Sequence, residues 1–356
     1  MSELEIEFLV GQMILTDLRG IELKPEMAEL LKKGLVSGVI LFPGPEATPV
    51  DVRRLTDEVR AVCSQCAPII AIDQEGGRVA RLKNGFTRIP AMRNLGEKND
   101  EGLALEIGRI VGKELRSVGV NLNFAPVVDL DLNPENKVIG DRSLGADPQR
   151  VSCLASALIR GLHSEKVLGC AKHFPGHGAS REDSHQELPV VDADQETVRR
   201  RELIPFRSAI EAGVKSIMVA HLKYPAFDRY YPASLSERII QGLLREEMRF
   251  EGVVITDSLE MKALETIPLE DRAYMAVRAG ADIVLISDGI ESARKIHSAL
   301  CTAVKMGALG ADRIYSAYER VRNFKENLFK SSELPAISSL GQLIDIPGHK
   351  QIAQSF

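Results

Sequence analysis

The segment Lys172-His173-Phe174-Pro175-Gly176-His177-Gly178, followed after four residues by Asp183-Ser184-His185, packs proton-transfer groups behind an apolar run, Val167-Leu168-Gly169-Cys170-Ala171. Its residue types suit acid–base chemistry. His185 is the natural proton donor, because an imidazole titrating near pH ~6.5 can serve as acid and then as base. Asp183, two residues earlier, can orient the ring and hold its protonated form. The competing reading is a hydrated surface turn over Arg181–His185, and the position after a strand end weighs against it. His173 and His177, with His221 as a third ligand, also admit a metal site. The i, i+4 spacing has meaning for zinc on a helix, but Pro175 and Gly176 break the helix it needs. A metal-dependent barrel hydrolase is therefore the weaker alternative, and no cofactor is expected.

A second carboxylate stands at the end of Val253-Val254-Ile255-Thr256-Asp257. Asp257 can be a nucleophile, a metal ligand or the N-cap of a following helix, since Asp caps well. Asp73-Gln74-Glu75-Gly76-Gly77-Arg78-Val79-Ala80-Arg81 follows another apolar run. A carboxylate beside two arginines can grip a polyhydroxylated ligand through bidentate hydrogen bonds. It can equally form an ion-pair network closing the mouth of the fold. Gly140-Asp141-Arg142-Ser143 is a similar charged turn with the same two readings.

Positioning these groups requires strands that end together. Apolar runs at Gly38–Phe42, Ile69–Asp73, Val120–Ala125, Val167–His173, Ser216–His221, Val253–Asp257 and Asp282–Ser287 alternate with amphipathic helical segments. Those segments are Ser2–Ile14, Pro49–Val62, Glu101–Val118, Pro148–Glu165, Asp194–Glu211, Glu237–Arg249, Glu270–Ala279 and Ile290–Met306. Such alternation predicts parallel βαβ units. With an eighth, ambiguous strand near Gln12–Asp17, the pattern predicts an α/β fold, a (β/α)8 TIM barrel. Asp73, Lys172, His173, His221 and Asp257 each end a predicted strand, and such ends converge on the catalytic face of a TIM barrel. Residues 1–330 read as one catalytic domain. Residues 331–356, richer in Ser, Pro and Gly, read as a C-terminal tail.

Composition narrows the partners. A net charge of −5 with no basic stripe argues against nucleic acid. No apolar run approaches the ~20 residues that span a bilayer, and the acidic start Met1–Glu7 is unlike a secretory signal. Five cysteines, some in apolar surroundings, suit a reducing compartment. A cytoplasmic, monomeric protein is expected. Cys63-Ser64-Gln65-Cys66 is formally a CxxC, but it lacks a second ligand pair and closes a helix where a redox motif would open one.

Taken together, these segments resemble the bacterial β-N-acetylglucosaminidases of glycoside hydrolase family 3, of the NagZ type. The resemblance runs in order through Gly38–Phe42, Ile72–Val79, Asn123–Asp129, Ile139–Ser143, the Lys172–His185 loop and Thr256–Met261, and spans roughly residues 5–330. It implies a retaining hydrolase with Asp257 as nucleophile and His185, paired with Asp183, as acid/base. It also implies that Asp73, Arg81, Arg142, Lys172 and His173 hold a non-reducing N-acetylglucosamine. The implied substrate is a muropeptide of cell-wall recycling, N-acetylglucosamine linked β-1,4 to 1,6-anhydro-N-acetylmuramic acid. A β-N-acetylglucosaminide phosphorylase of the same family is the alternative, because a histidine acid/base does not repel an incoming phosphate. Two positions depart from the family pattern: Ser258 stands where a second aspartate is common, and Leu144 where phenylalanine is.

Overall fold

Most of the barrel strands carry apolar residues on both faces, so they must be covered on both, and the chain meets that demand by closing into a barrel wrapped in helices. The structure, a computed structural model, describes residues 2–180 and 188–356. Its strands are β1 (Ile14–Arg19), β2 (Gly38–Phe42), β3 (Ile69–Ile72), β4 (Gln74–Gly76), β5 (Val79–Ala80), β6 (Leu122–Asn123), β7 (Leu168–Phe174), β8 (Ser216–Val219), β9 (Val253–Ser258) and β10 (Ile283–Ile286). Eight of them close a parallel ring in the order β1-β2-β3-β6-β7-β8-β9-β10, while β4 and β5 form a separate antiparallel hairpin. The predicted TIM barrel is the fold, and the ambiguous strand near residue 12 is β1.

The two-residue period of a strand divides the core in two. Leu15, Ile40, Ala71, Phe124, Cys170, Met218, Ile255 and Leu285 fill the barrel interior. Their neighbours Ile14, Val39, Ile70, Ile217, Val254 and Ile286 face the surrounding helices. β6 is shorter than the predicted Val120–Ala125, because asparagine side chains replace part of its ladder. Asn121 Oδ1 accepts from the Ile70 amide at 2.8 Å, and Asn123 Oδ1 accepts from the Gln74 amide at 3.0 Å.

The helices depart from the expected set in places. The predicted helix Asp194–Glu211 is split into Gln195–Arg200 and Leu203–Glu211, since Pro205 cannot follow the carbonyl of residue 201 in a continuous helix. A helix over Ala311–Glu326 was not anticipated. Its Val321 and Phe324, with Leu328, join the interior cluster and plug the end of the barrel where the strands begin. Residues beyond 330 pack on the outside: Leu340, Ile344 and Ala353 are buried, and His349 Nδ1 lies 2.8 Å from the buried carboxylate of Glu114. No helix among the described residues is long and apolar enough to cross a membrane.

Candidate active site

The ends of β1, β2, β3, β7 and β9 surround a cavity of about 500 Å³ whose floor is Ile40, Phe124, Met218 and Leu285. Its wall carries Asp73, Arg81, Arg142, Lys172, His173 and Asp257, which lie far apart in sequence. The described part of the predicted site is thereby brought to one place.

One side of the cavity is an interlocked charge cluster. Lys172 Nζ donates to Asp73 Oδ1 at 2.8 Å and lies 2.6 Å from Glu75 Oε1. Arg142 grips the same Glu75 with two bonds, Nε to Oε2 and a terminal nitrogen to Oε1, both 2.8 Å. Arg81 reaches Asp73 Oδ2 at 3.4 Å and stacks over the Phe42 ring, which Arg19 covers as well. Burial alone would raise the Glu75 carboxyl, but Lys172 and Arg142 outweigh it and hold it well below the usual carboxylate range. The reciprocal effect holds for Lys172: burial lowers its proton affinity, yet Asp73 and Glu75 raise it above the usual lysine value. Glu75, absent from the predicted site, is the centre of this cluster. The hairpin that carries it turns at Gly77, whose φ of +54° and 2.8 Å approach of a would-be Cβ to Ala91 Cα leave no room for a side chain.

A second buried carboxylate organises the histidines. Asp129 accepts from the backbone N–H groups of His173 and His177, at 3.2 and 2.7 Å from its Oδ1, and its Oδ2 lies 2.6 Å from His173 Nδ1. With Nδ1–H donating to Asp129, His173 Nε2 accepts from Arg142 at 3.3 Å. Burial would raise the Asp129 carboxyl, but His173 and the His177 amide hold it below its ordinary value. His177 is buried against Asp129 and Ser180, and burial drops its pKa to about 4, so it is neutral at pH 7. Gly178 follows it with a would-be Cβ only 1.6 Å from the Leu130 carbonyl oxygen, a contact only glycine permits. Asp129 was also missed, although a charge inside Val127-Val128-Asp129-Leu130 signals a buried, paired group.

Across the cavity, Asp257 Oδ1 accepts from the Ser258 amide at 2.8 Å. No helix starts here for it to cap; the strand continues to Ser258 and a short 3-10 turn over Lys262–Leu264 comes later. The departing residue Ser258 has a role of its own. Its hydroxyl donates to Glu260 at 2.6 Å and bonds the Ser287 hydroxyl, tying the ends of β9 and β10 together. Burial raises the Glu260 carboxyl above its ordinary value, with the Ser258 hydroxyl and the Ser287 amide acting in the opposite direction.

The three histidines of the metal reading do not assemble as a ligand set. His221 Nδ1 bonds Ser234 Oγ at 2.7 Å and its Nε2 bonds the Ser258 carbonyl at 2.8 Å, while His173 and His177 are engaged as above. Among the described residues no group of three His, Cys, Asp or Glu side chains is arranged to hold a metal ion. Asp183 and His185 lie outside the described residues. The described chain on either side is hydrogen-bonded: the Ser180 carbonyl accepts from Asn133 at 3.1 Å, and the Val191 amide donates to the Lys223 carbonyl at 2.9 Å.

A carboxylate facing a fixed cluster of paired charges, above an apolar floor, can bind a hydroxylated ring and attack one of its carbons. Comparison with known proteins gives the family. The profile of the Glycosyl hydrolase family 3 N terminal domain matches residues 5–324. A beta-hexosaminidase of Nitrosomonas eutropha is 39% identical over 294 residues, which cover 81% of this chain and 84% of that protein. A beta-hexosaminidase of Pseudomonas aeruginosa is 37% identical over 289 residues, covering 81% and 86%. Among solved structures, a glycoside hydrolase family 3 beta-N-acetylglucosaminidase from Paenibacillus superposes with a TM-score of 0.90 at 36% identity, covering 98% of this chain and 67% of its own.

Proposed function

We propose, from the premise that this chain belongs to glycoside hydrolase family 3 and is a glycoside hydrolase acting on hexosaminides, that it is a retaining exo-β-N-acetylglucosaminidase. The observation that carries this reading is the Asp257 carboxylate on the wall of the same cavity as the Asp73–Lys172–Glu75–Arg142 cluster. In the first step an Asp257 oxygen attacks the anomeric carbon while His185 gives its proton to the departing glycosidic oxygen. The bond to the aglycone breaks and a glycosyl ester on Asp257 forms. In the second step His185, now neutral, takes a proton from water as that water attacks the same carbon and releases Asp257. Asp183 orients His185 and stabilises its charged form. Asp73, Arg81, Arg142, Lys172 and His173 hold the non-reducing sugar, and the pairing of Lys172 with Asp73 fixes that carboxylate before the sugar arrives.

The natural substrate in this reading is a muropeptide, N-acetylglucosamine joined β-1,4 to 1,6-anhydro-N-acetylmuramic acid, degraded in the cytoplasm during cell-wall recycling. The test is mass spectrometry after trapping with a slow fluorinated N-acetylglucosaminide. The expected label is on Asp257; a label on another residue, or turnover without any trapped ester, overturns the assignment.

One observation favours a second reading. The cavity lining carries six cationic side chains, Arg19, Arg78, Arg81, Lys137, Arg142 and Lys172, against three carboxylates, Asp73, Glu75 and Asp257. That excess gives phosphate a place to bind as the second-step acceptor. Sugar 1-phosphate as the main product in phosphate buffer would replace hydrolysis by phosphorolysis.

A further inference from the structure

The Cys63/Cys66 pair has no part in the chemistry above, yet the fold sets Cys66 beside a buried amine. Cys66 lies in the connection between the helix Pro49–Val62 and β3, at the end of the barrel remote from Asp257. Lys325, from the plugging helix Ala311–Glu326, is buried there. Its Nζ donates to Gln12 Oε1 at 2.7 Å and to the Ser37 carbonyl at 2.9 Å, and lies 3.5 Å from Cys66 Sγ. Cys66 Sγ in turn donates to Gln12 Oε1 at 3.3 Å, so Gln12 holds sulfur and nitrogen side by side.

We propose that Cys66 and Lys325 form a peroxide-responsive covalent cross-link, a sulfenamide joining Sγ to Nζ. The thiol of Cys66 first takes one oxygen from hydrogen peroxide; the O–O bond breaks, one water leaves and the sulfur becomes a sulfenic acid. The neutral amine of Lys325 then attacks that sulfur. The S–N bond forms, the S–O bond breaks and a second water leaves with a proton from nitrogen. The sulfur is oxidised by two electrons and the peroxide reduced by two, and excess thiol reverses the link.

Three features favour this partner over the neighbouring cysteine. Cys63 and Cys66 are both partly buried and within reach of peroxide, but burial pushes the Cys63 thiol up to about 11, which leaves little of it as the reactive thiolate. Burial also lowers the proton affinity of Lys325, with the two thiols acting against it, which raises the share of neutral amine. Gln12 already orients both reacting atoms, so little conformational freedom remains to be lost. The link would join residues 259 apart in sequence. It would therefore strongly restrict the unfolded chain while leaving the cavity at the opposite end untouched.

The test treats the full-length protein with hydrogen peroxide and maps tryptic peptides. The expected result is a cross-linked pair joining the Cys66 and Lys325 peptides, lighter than their sum by two hydrogen atoms, with cleavage after Lys325 lost. Dithiothreitol should restore both peptides. Cys66→Ser should abolish the link, Cys63→Ser should keep it, and both variants should retain turnover of an aryl N-acetylglucosaminide. The cross-linked protein should melt at a higher temperature than the reduced one. A Cys63–Cys66 disulfide with Lys325 still cleavable, or sulfinic acid at Cys66 without any link, overturns the proposal.

Discussion

Glu75→Gln is the sharpest probe of the site, because one atom changes and three contacts report on it. The Glu75 side chain is 2% exposed and receives two bonds from Arg142 and one contact from Lys172, at 2.8, 2.8 and 2.6 Å. Glutamine keeps one acceptor but turns an N–H toward a cation. Removing one partner of a buried ion pair costs about 3–5 kcal/mol, so urea denaturation should show a loss of that size. The exposed pair Arg78–Asp141 at 2.8 Å, with both side chains nearly half exposed, is the control; Asp141→Asn should cost less than ~1 kcal/mol. Because Lys172 also holds Asp73, its release should misplace that carboxylate, which in the proposed function holds the sugar, and lower kcat/KM by about 100-fold, the order expected for a misplacement of ~1 Å. The pH dependence has a definite sign. The folded-state pKa of Glu75 is depressed, so its contribution is complete above the unfolded value of about 4.3 and is lost as pH falls toward the folded value. The stability gap between wild type and variant should thus be constant from pH 8 to 5 and shrink in stronger acid. Equal denaturation midpoints and kinetics within twofold of wild type would refute the clustered role.

Four further outcomes are expected. Asp257→Ala should abolish turnover of an aryl β-N-acetylglucosaminide while circular dichroism stays native; near-normal activity would sink its role as nucleophile. Substituting His185 should slow glycosylation least for acidic leaving groups, which need little protonation, and a uniform loss across leaving groups would remove it as the acid. His177, with its pKa lowered to about 4 by burial, should make the protein lose ~3 kcal/mol of stability as pH falls from 6.5 to 4. The unfolded chain then binds a proton that the folded chain refuses; His177→Gln should flatten this fall in urea titrations, and an unchanged slope would argue against a neutral buried ring. Glu114→Ala should destabilise by about 1–3 kcal/mol, because the buried Thr87 amide at 3.0 Å and the Asp345 amide at 2.9 Å lose their acceptor. Limited proteolysis should cut near the C-terminus sooner in that variant, and an unchanged digestion pattern would remove Glu114 as the tether.

What could be read from the sequence was whatever depends on short-range pattern. Apolar runs ending in Asp73, Lys172 and Asp257 were legible as strand ends, and parallel strand ends gather on one face whatever lies between them. Glu75 and Asp129 were not legible as central groups. Their importance comes from what closes over them, Arg142 from 67 residues away and His173 from 44 residues away. The helix Ala311–Glu326 was in principle readable, since Ile314, Ala317, Val321 and Phe324 recur at helical spacing. Its function as a plug was not, because nothing local says which opening a helix covers. Pro205 is the opposite case: the residue that breaks the predicted helix was in plain view.

Val321, Phe324 and Leu328 close the end of the barrel where the strands begin, so that, among the described residues, the cavity at the other end is a well with one mouth. Traffic through a single mouth is ordered. In the proposed reaction the sugar, held deeper in the cavity than the aglycone, enters first and leaves last, and the aglycone must vacate the opening before water can reach the ester. Free monosaccharide should therefore compete with substrate, while free aglycone should slow release of the second product more than binding of the first. It also follows that a longer glycan can be shortened only from its tip, one residue per visit, with complete dissociation between cuts.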